Sequence, residues 1–330
     1  MKKRIFYKRF IVAVTMIAIA FGLLFGIRAL NMKASDNAKQ TSLSVDGMKQ
    51  TSQSDENTKR GSSSEQNTKQ TFLSNKTLPD NDNLLLGNPS NAKPDTKISN
   101  NYLESKKQYI SSYNNSKKTP NWVSWHLNSD NIGNVQRKND FRPDTSLPSS
   151  WYKVTPNDYK NSGFDKGHMC PSADRTSSAE DNSSTFLMSN MIPQAPKNNQ
   201  IVWEKLESYT RALVSKGNEV YIISGPYGRG GAGSKGYKTT IGKGITVPSS
   251  TWKIIVILKN GNNDIRRINS STRVIAVSVP NNQDCSNKPW KSYRVSVDSI
   301  ESSTGYDFLS NISSNIQNVL ESHVDKELVP

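Results

Sequence analysis

The first hundred residues of this 330-residue chain are expected to add little to a folded core, and that limits where a fold is expected to form. Lys2, Lys3, Arg4, Lys8 and Arg9 open the chain with no acid among them, and a mostly apolar run from Phe10 to Ile27 follows, closed by Arg28. Its eighteen residues reach the lower end of the roughly 17–25 that span a bilayer and exceed the about 7–15 of a signal-peptide core. Length favours a retained anchor, while Met32, Lys33 and Ala34 offer a weak cleavage site, so residues 1–31 are expected to be a signal peptide or a membrane anchor. In either case the basic flank is expected to leave the rest of the protein outside the cytoplasm.

From Met32 to Ser99 the sequence is rich in Ser, Thr, Asn, Gln and Lys, and a ten-residue period runs through Lys39-Gln-Thr-Ser, Lys49-Gln-Thr-Ser, Lys59-Arg-Gly-Ser and Lys69-Gln-Thr-Phe. Units this polar cannot bury enough surface to offset their ordering entropy. Residues 32–99 are therefore expected to be a disordered linker, with a wall-binding or nucleic-acid-tethering arm as the alternative.

That leaves residues 100–330 for the folded domain, beginning near Tyr102. Segments starting at Glu219, Trp252 and Thr272 are β-branched runs bounded by Gly, Asn, Ser or Pro, and read as strands. Lys259-Asn-Gly-Asn-Asn after the second reads as a hairpin turn. Val202, Leu206, Tyr209, Leu213 and Val214 recur at helical spacing between Asn198 and Lys216, with Gly217 as the stop. Ile312, Ile316, Val319 and Leu320 predict another helix over Ser310 to His323. The fold class is α+β.

Lys and Arg number 43 against 28 Asp and Glu, a formal charge of +15. With a mean hydropathy of −0.68, this excludes a multi-span membrane protein and favours polyanionic partners such as nucleic acid. Two cysteines and three histidines without C-x-x-C or H-x-x-x-H spacing argue against a structural zinc cluster. Cys170 and Cys285 could pair outside the cell, but sequence does not show whether their sulfurs meet.

The segment richest in chemistry is Gly163-Phe-Asp-Lys-Gly-His-Met-Cys-Pro-Ser-Ala-Asp-Arg, followed by Phe186-Leu-Met-Ser-Asn-Met-Ile-Pro-Gln and Asn198-Asn-Gln-Ile-Val-Trp-Glu-Lys-Leu-Glu. Phosphodiester cleavage needs a base for water, a cation for developing charge, and positive side chains on the backbone. These segments supply candidates for each. Asp165-Lys-Gly-His168 resembles the Asp-Arg-Gly-His signature of the DNA/RNA non-specific endonucleases, the ββα-metal or His-Me finger nucleases. The resemblance runs from about Trp122 to His323 and includes the order and spacing of all three segments.

It implies a largely antiparallel sheet flanked by helices, with His168 as general base and Asn199 as the single direct ligand of Mg²⁺, Mn²⁺ being the alternative. One neutral amide oxygen suits Mg²⁺, which keeps most of its waters. Glu207, eight residues on, would act on the metal through water, and Arg211 and Arg137 would hold the scissile phosphate. Arg142 competes with Arg137 for that role. On an ideal helix Asn199, Trp203, Glu207 and Arg211 form one stripe, with Glu207 and Arg211 as an i, i+4 pair. Asp165 would orient the turn or His168. Lys166 departs from the usual arginine and offers a point charge in place of a bidentate fork. Cys170 follows His168 by two positions, but no other histidine lies nearby and the family it resembles has no catalytic cysteine, so it is not expected to be a nucleophile.

The expected function is an extracellular or membrane-anchored, sugar-non-specific endonuclease leaving 5′-phosphates, with DNA and RNA as partners. A basic surface protein that binds extracellular DNA without cutting it is the alternative.

Overall fold

β-Branched and aromatic runs, each stopped by Gly, Asn or Pro, supply most of the strands. A computed structural model describes residues 79–328; the N-terminal apolar run and the decapeptide repeats lie outside the described residues. In chain order the strands are β1 (Tyr102–Ser105), β2 (Ile110–Asn114), β3 (Thr119–Leu127), β4 (Asp165–His168), β5 (Met191–Gln194) and β6 (Asn218–Tyr227). After them come two small hairpins, β7 (Gly231–Gly233) with β8 (Gly236–Lys238) and β9 (Thr240–Ile241) with β10 (Ile245–Thr246). The series closes with β11 (Ser250–Lys259), β12 (Arg273–Pro280) and β13 (Arg294–Val295). Seven of them form one antiparallel sheet in the order β1-β2-β3-β6-β11-β12-β13.

Both faces of this sheet are covered, and strand alternation divides the side chains between them. From β11, Trp252, Ile254, Val256 and Leu258 enter one core, while Ile255 and Ile257 meet the other. The second core also takes Trp125 of β3, Val220 and Ile222 of β6, and Val202, Trp203, Leu206 and Val214 from the long helix. The helix is amphipathic for this reason: its apolar side must cover the middle of the sheet. A third, smaller cluster around Tyr159, Phe164, Met188 and Met191 lies beside β4 and β5.

Three expectations change. The segment from residue 79 to 99 packs on the domain: Leu85, Leu86 and Ala92 are buried against Trp122, Tyr221 and Phe308. Asp80 accepts from the backbone N–H groups of Asn263 and Asn83 Oδ1 from that of His126, at 2.7 and 3.0 Å. A polar average over the linker hid one apolar triplet, Leu84-Leu-Leu. β11 and β12 do pair, but their connection contains a one-turn helix, Asp264–Arg267, in place of a tight turn. The C-terminal helix is shorter than its periodicity, running Ser314–Ser322.

Truncation at residue 100 should therefore be severe. Each buried leucine is worth about 2–5 kcal/mol on shortening to alanine, and a domain's whole stability is about 5–15 kcal/mol. A chain starting at Asn100 is expected to melt far below one that keeps Leu85 and Leu86, as calorimetry would show.

Glu321 predicts a second stability effect. It is buried on the Ser314–Ser322 helix, with a carboxylate oxygen near those of Asp298 and Glu301. Burial first, then the Glu301 charge, pushes its carboxyl up to about 8, against about 4.3 in an unfolded chain. The folded state thus holds a proton that the unfolded state releases, so this contribution is complete below the unfolded value and is lost as pH rises through about 8. The melting temperature of Glu321→Gln should fall less than that of the wild type between pH 5 and 9. Parallel melting curves would remove Glu321 as the cause.

Candidate active site

β4 and β5 form an isolated antiparallel pair that aligns Asp165 with Gln194 and His168 with Met191. The two strands approach closely at Gly167, where a Cβ would stand 2.1 Å from Gln194 Oε1 and 2.6 Å from Gln194 Cβ. Gly167→Ala should therefore push the strands apart and move His168, with an overpacking cost of about 1–3 kcal/mol. Its melting point and its activity are both expected to drop; an unchanged melting point would refute the close approach.

The chain leaves β5 and enters a helix whose first part, Asn198–Trp203, is a π-helix; the α-helix follows as Glu204–Ser215. The Glu204 N–H bonds the Asn199 carbonyl, five residues back. Asn198 is buried: its Oδ1 accepts from Gln194 Nε2 at 2.9 Å and its Nδ2 donates to Thr251 at 3.1 Å, so it ties the helix start to β5 and β11. The wide turn adds one residue and shifts the helix face. Trp203, expected in one stripe with Asn199, Glu207 and Arg211, is buried in the core, and Glu204 lines the cleft with those three.

These side chains line a cleft of about 260 Å³ together with His168, Lys166 and Arg137. A neighbouring hollow of about 480 Å³ shares Arg137, Lys166, Asn199 and Gln200 and extends over Asn157 and Lys160. His168 lies at the cleft wall, 8% exposed, with its ring 5.0 Å from Phe186 and 5.5 Å from Phe141. Burial first, then the charges of Arg137 and Lys166, pushes its imidazole down to about 3. It is therefore neutral at ordinary pH, and its Nε2 meets no hydrogen-bonding partner among the described residues.

Each positive group has its own partners. Arg137 donates to Ser172 Oγ at 2.6 Å and lies 4.8 Å from the centre of the Phe186 ring. Lys166 Nζ sits 4.6 Å from the Phe141 ring centre. Arg142 is turned elsewhere, donating to Asp140 and to the Ser183 carbonyl, so geometry favours Arg137 of the two candidates. Arg211 donates to Asp174 at 3.1 Å and to Ser208 at 3.0 Å.

Two expected contacts are replaced. Glu207 is paired with Lys253 at 3.5 Å, and Arg211 with Asp174, because both charges have buried partners beneath the helix. Burial raises the Glu207 carboxyl to about 7 despite Lys253. Asp165 accepts from Asn199 Nδ2 at 2.9 Å and from Gln200 Nε2 at 2.8 Å, which joins β4 to the π turn; its contact is with the amide ligand candidate, not His168.

This arrangement fits a divalent cation. Asn199 commits its Nδ2 to Asp165, leaving its carbonyl oxygen for a hard metal, and Glu207 follows on the same wall of the cleft. A second group of ligand types, His126, Glu219 and Asp264, is buried away from the cleft. There His126 meets Glu219 at 3.0 Å and the Arg267 guanidinium bridges Glu219 and Asp264. Arg267 already supplies the positive charge, so this cluster reads as an ion-pair network.

Cys170 and Cys285 are both free thiols in the same core. The bridge left open by sequence does not form, and burial pushes the two thiols up to about 12 and about 11, which removes nucleophilic character at neutral pH.

A strand pair that presents a buried histidine to a helix carrying an amide, a carboxylate and an arginine defines a ββα-metal nucleic-acid hydrolase. Residues 87–315 match the family model described as DNA/RNA non-specific endonuclease, and the chain belongs to that family. A protein named Nuclease from Nostoc sp. is 54% identical over 242 residues, covering 73% of this chain and 85% of its own length. Human Endonuclease G, mitochondrial, is 32% identical over 217 residues, 64% of this chain and 70% of that protein. Nuclease EXOG, mitochondrial, from Danio rerio is 34% identical over 207 residues; the match spans 61% of this chain and 58% of that protein. Among solved structures, a chain in the crystal structure of the EndoG/EndoGI complex matches with a TM-score of 0.58 and 26% identity, over 70% of this chain and 91% of that one. The chain is a nuclease, which displaces the alternative of a DNA-binding protein without catalysis.

Several residues of this neighbourhood carry little or no signal in the sequence. Lys253 was visible as the one charge inside the otherwise apolar run Trp252-Lys-Ile-Ile-Val-Ile-Leu. Asp174 stands six residues after His168 in the motif segment, but no spacing rule links it to Arg211. Ser172, Glu204, Phe141 and Phe186 carry no signal of their own.

Proposed function

We propose that this protein hydrolyses DNA and RNA with little sequence preference, using Mg²⁺, and leaves 5′-phosphate and 3′-hydroxyl ends. The convergence of His168, Asn199, Glu207, Arg137, Lys166 and Arg211 on one cleft carries this reading. In it, neutral His168 takes a proton from water as the water oxygen attacks phosphorus in line, and the bond from phosphorus to the 3′ oxygen breaks. Arg137 and Arg211 bind phosphate oxygens, and Lys166 adds a mobile positive charge. Asn199 and, through water, Glu207 would hold Mg²⁺, which when bound neutralises charge building on the phosphate and the leaving oxygen. Asp165 keeps the Asn199 amide oriented. Weak sequence preference follows from contacts made to the backbone, which carry no base information.

We place the activity outside the cytoplasm, secreted or tethered to the membrane by residues 1–31; the basic and apolar N-terminal sequence supports this. The test is cleavage of plasmid DNA and of RNA by the full chain with Mg²⁺ or with EDTA, with end-group analysis of the products. Metal-dependent cutting of both substrates to 5′-phosphates is the expected result. Cutting that survives EDTA, or products with 3′-phosphates, would refute it. Cell fractionation tests location, and nuclease recovered in the cytoplasm would count against export.

A further inference from the structure

Lys253 is a fully buried charged group that the proposed chemistry leaves unused. It points from β11 to the same face of the sheet as Ile255 and Ile257, beneath the long helix. It is 2% exposed and does not line the cleft. Its ammonium lies 4.5 Å from the ring centre of Trp203 and 5.5 Å from that of Trp125. Its one salt-bridge partner among the described residues is Glu207, at 3.5 Å.

A lysine buried like this is poorly explained by stability, since desolvating two charges can outweigh their attraction and apolar replacements of such pairs are often neutral or stabilising. Geometry offers another account. Trp125 also donates its indole N–H to Asp174 at 3.0 Å, and Asp174 holds Arg211 at 3.1 Å. Of the helix charges that line the cleft, Glu207 and Arg211 are thus anchored downward onto β11 and onto the segment after β4 that β3 holds, not to one another.

We propose that Lys253 is a positioning residue for Glu207, caged by Trp203 and Trp125 so that the carboxylate is fixed toward the cleft. This rests on the reading of Glu207 as a metal-side carboxylate acting through water. Groups that orient a metal site from outside its direct ligands are worth about 10–100-fold in affinity or activity.

The test compares the full chain with Lys253→Met, Glu207→Gln and the double variant, measuring cleavage rate, Mg²⁺ dependence and melting temperature. Lys253→Met should cut about 10–100-fold more slowly and need more Mg²⁺ for half-maximal rate, with KM for plasmid unchanged; it should melt lower than wild type because Glu207 is left without its cation, and the double variant, which removes both charges, should recover that melting temperature. The double variant should be no slower than Glu207→Gln, because both substitutions disable one unit. Wild-type rate and Mg²⁺ dependence in Lys253→Met would overturn the proposal, and so would a double variant slowed by the product of the two single losses. If Lys253→Met does not fold, the double variant, which removes both charges, decides alone: equality with Glu207→Gln supports the role and a further loss overturns it. Glu207→Gln cutting at the wild-type rate would instead remove the reading of Glu207, and that of Lys253 with it.

Discussion

His168→Ala should abolish most cleavage while leaving the protein folded and able to bind DNA. A positioned general base contributes about 10²–10⁴-fold, so kcat is expected to fall by that factor with KM little changed. The structure separates this loss from a folding defect. His168 Nε2 makes no hydrogen bond among the described residues, so removal of the ring breaks none at that atom and leaves only its packing on Phe141 and Phe186 to be lost. His126 provides the contrast: it is buried with its Nε2 3.0 Å from a Glu219 carboxylate oxygen and lies away from the cleft. His126→Ala should lower the melting temperature and spare kcat. If both variants lost activity only in proportion to unfolded protein, His168 would not be the base.

Asn199→Ala is expected to be equally damaging by a different route. A metal that stabilises transition-state charge is worth several kcal/mol, and each 1.36 kcal/mol is a factor of ten in rate, so loss of its one direct protein ligand should slow cutting by about 10³-fold. Mg²⁺ titration would show the cause, as the half-saturating concentration should rise steeply while DNA affinity measured in EDTA stays the same. Asn199→Asp is the informative companion. It places a second carboxylate where Asp165 accepts a hydrogen bond at 2.9 Å, and it should not restore activity in spite of its extra negative charge. Unaltered Mg²⁺ dependence in Asn199→Ala would move the metal elsewhere in the cleft.

The fold class, the strands β6, β11 and β12 and the site helix were legible in the sequence because each depends on local pattern, and His168, Asn199, Glu207, Arg211, Arg137 and Lys166 of the cleft were legible through the motifs that resemble the family. Strand composition and helical period act over ten residues or so, and Asp165-Lys-Gly-His168 with Asn199 and Glu207 lies within about forty. The match of residues 87–315 to the DNA/RNA non-specific endonuclease family agrees with the family that those motifs resemble. Where sequence reading failed, the cause was tertiary. Leu85 and Leu86 stand in polar surroundings along the chain and become core only because β3, β6 and the C-terminal segment meet over them. A regular helix predicts Trp203 beside Asn199, and the π turn puts Glu204 there.

Charge pairing shows the same division. By sequence Glu207 and Arg211 are neighbours on one helix, and i, i+4 spacing is enough to expect a pair. Lys253 and Asp174 reach them from 46 and 37 residues away. A buried partner in a low-dielectric setting outweighs an exposed neighbour, and which partner is buried is decided by the sheet. Sequence alone determined the chemistry this chain carries; tertiary structure decided how each reactive group is held, because burial and long-range contact set the charge state and aim of a side chain.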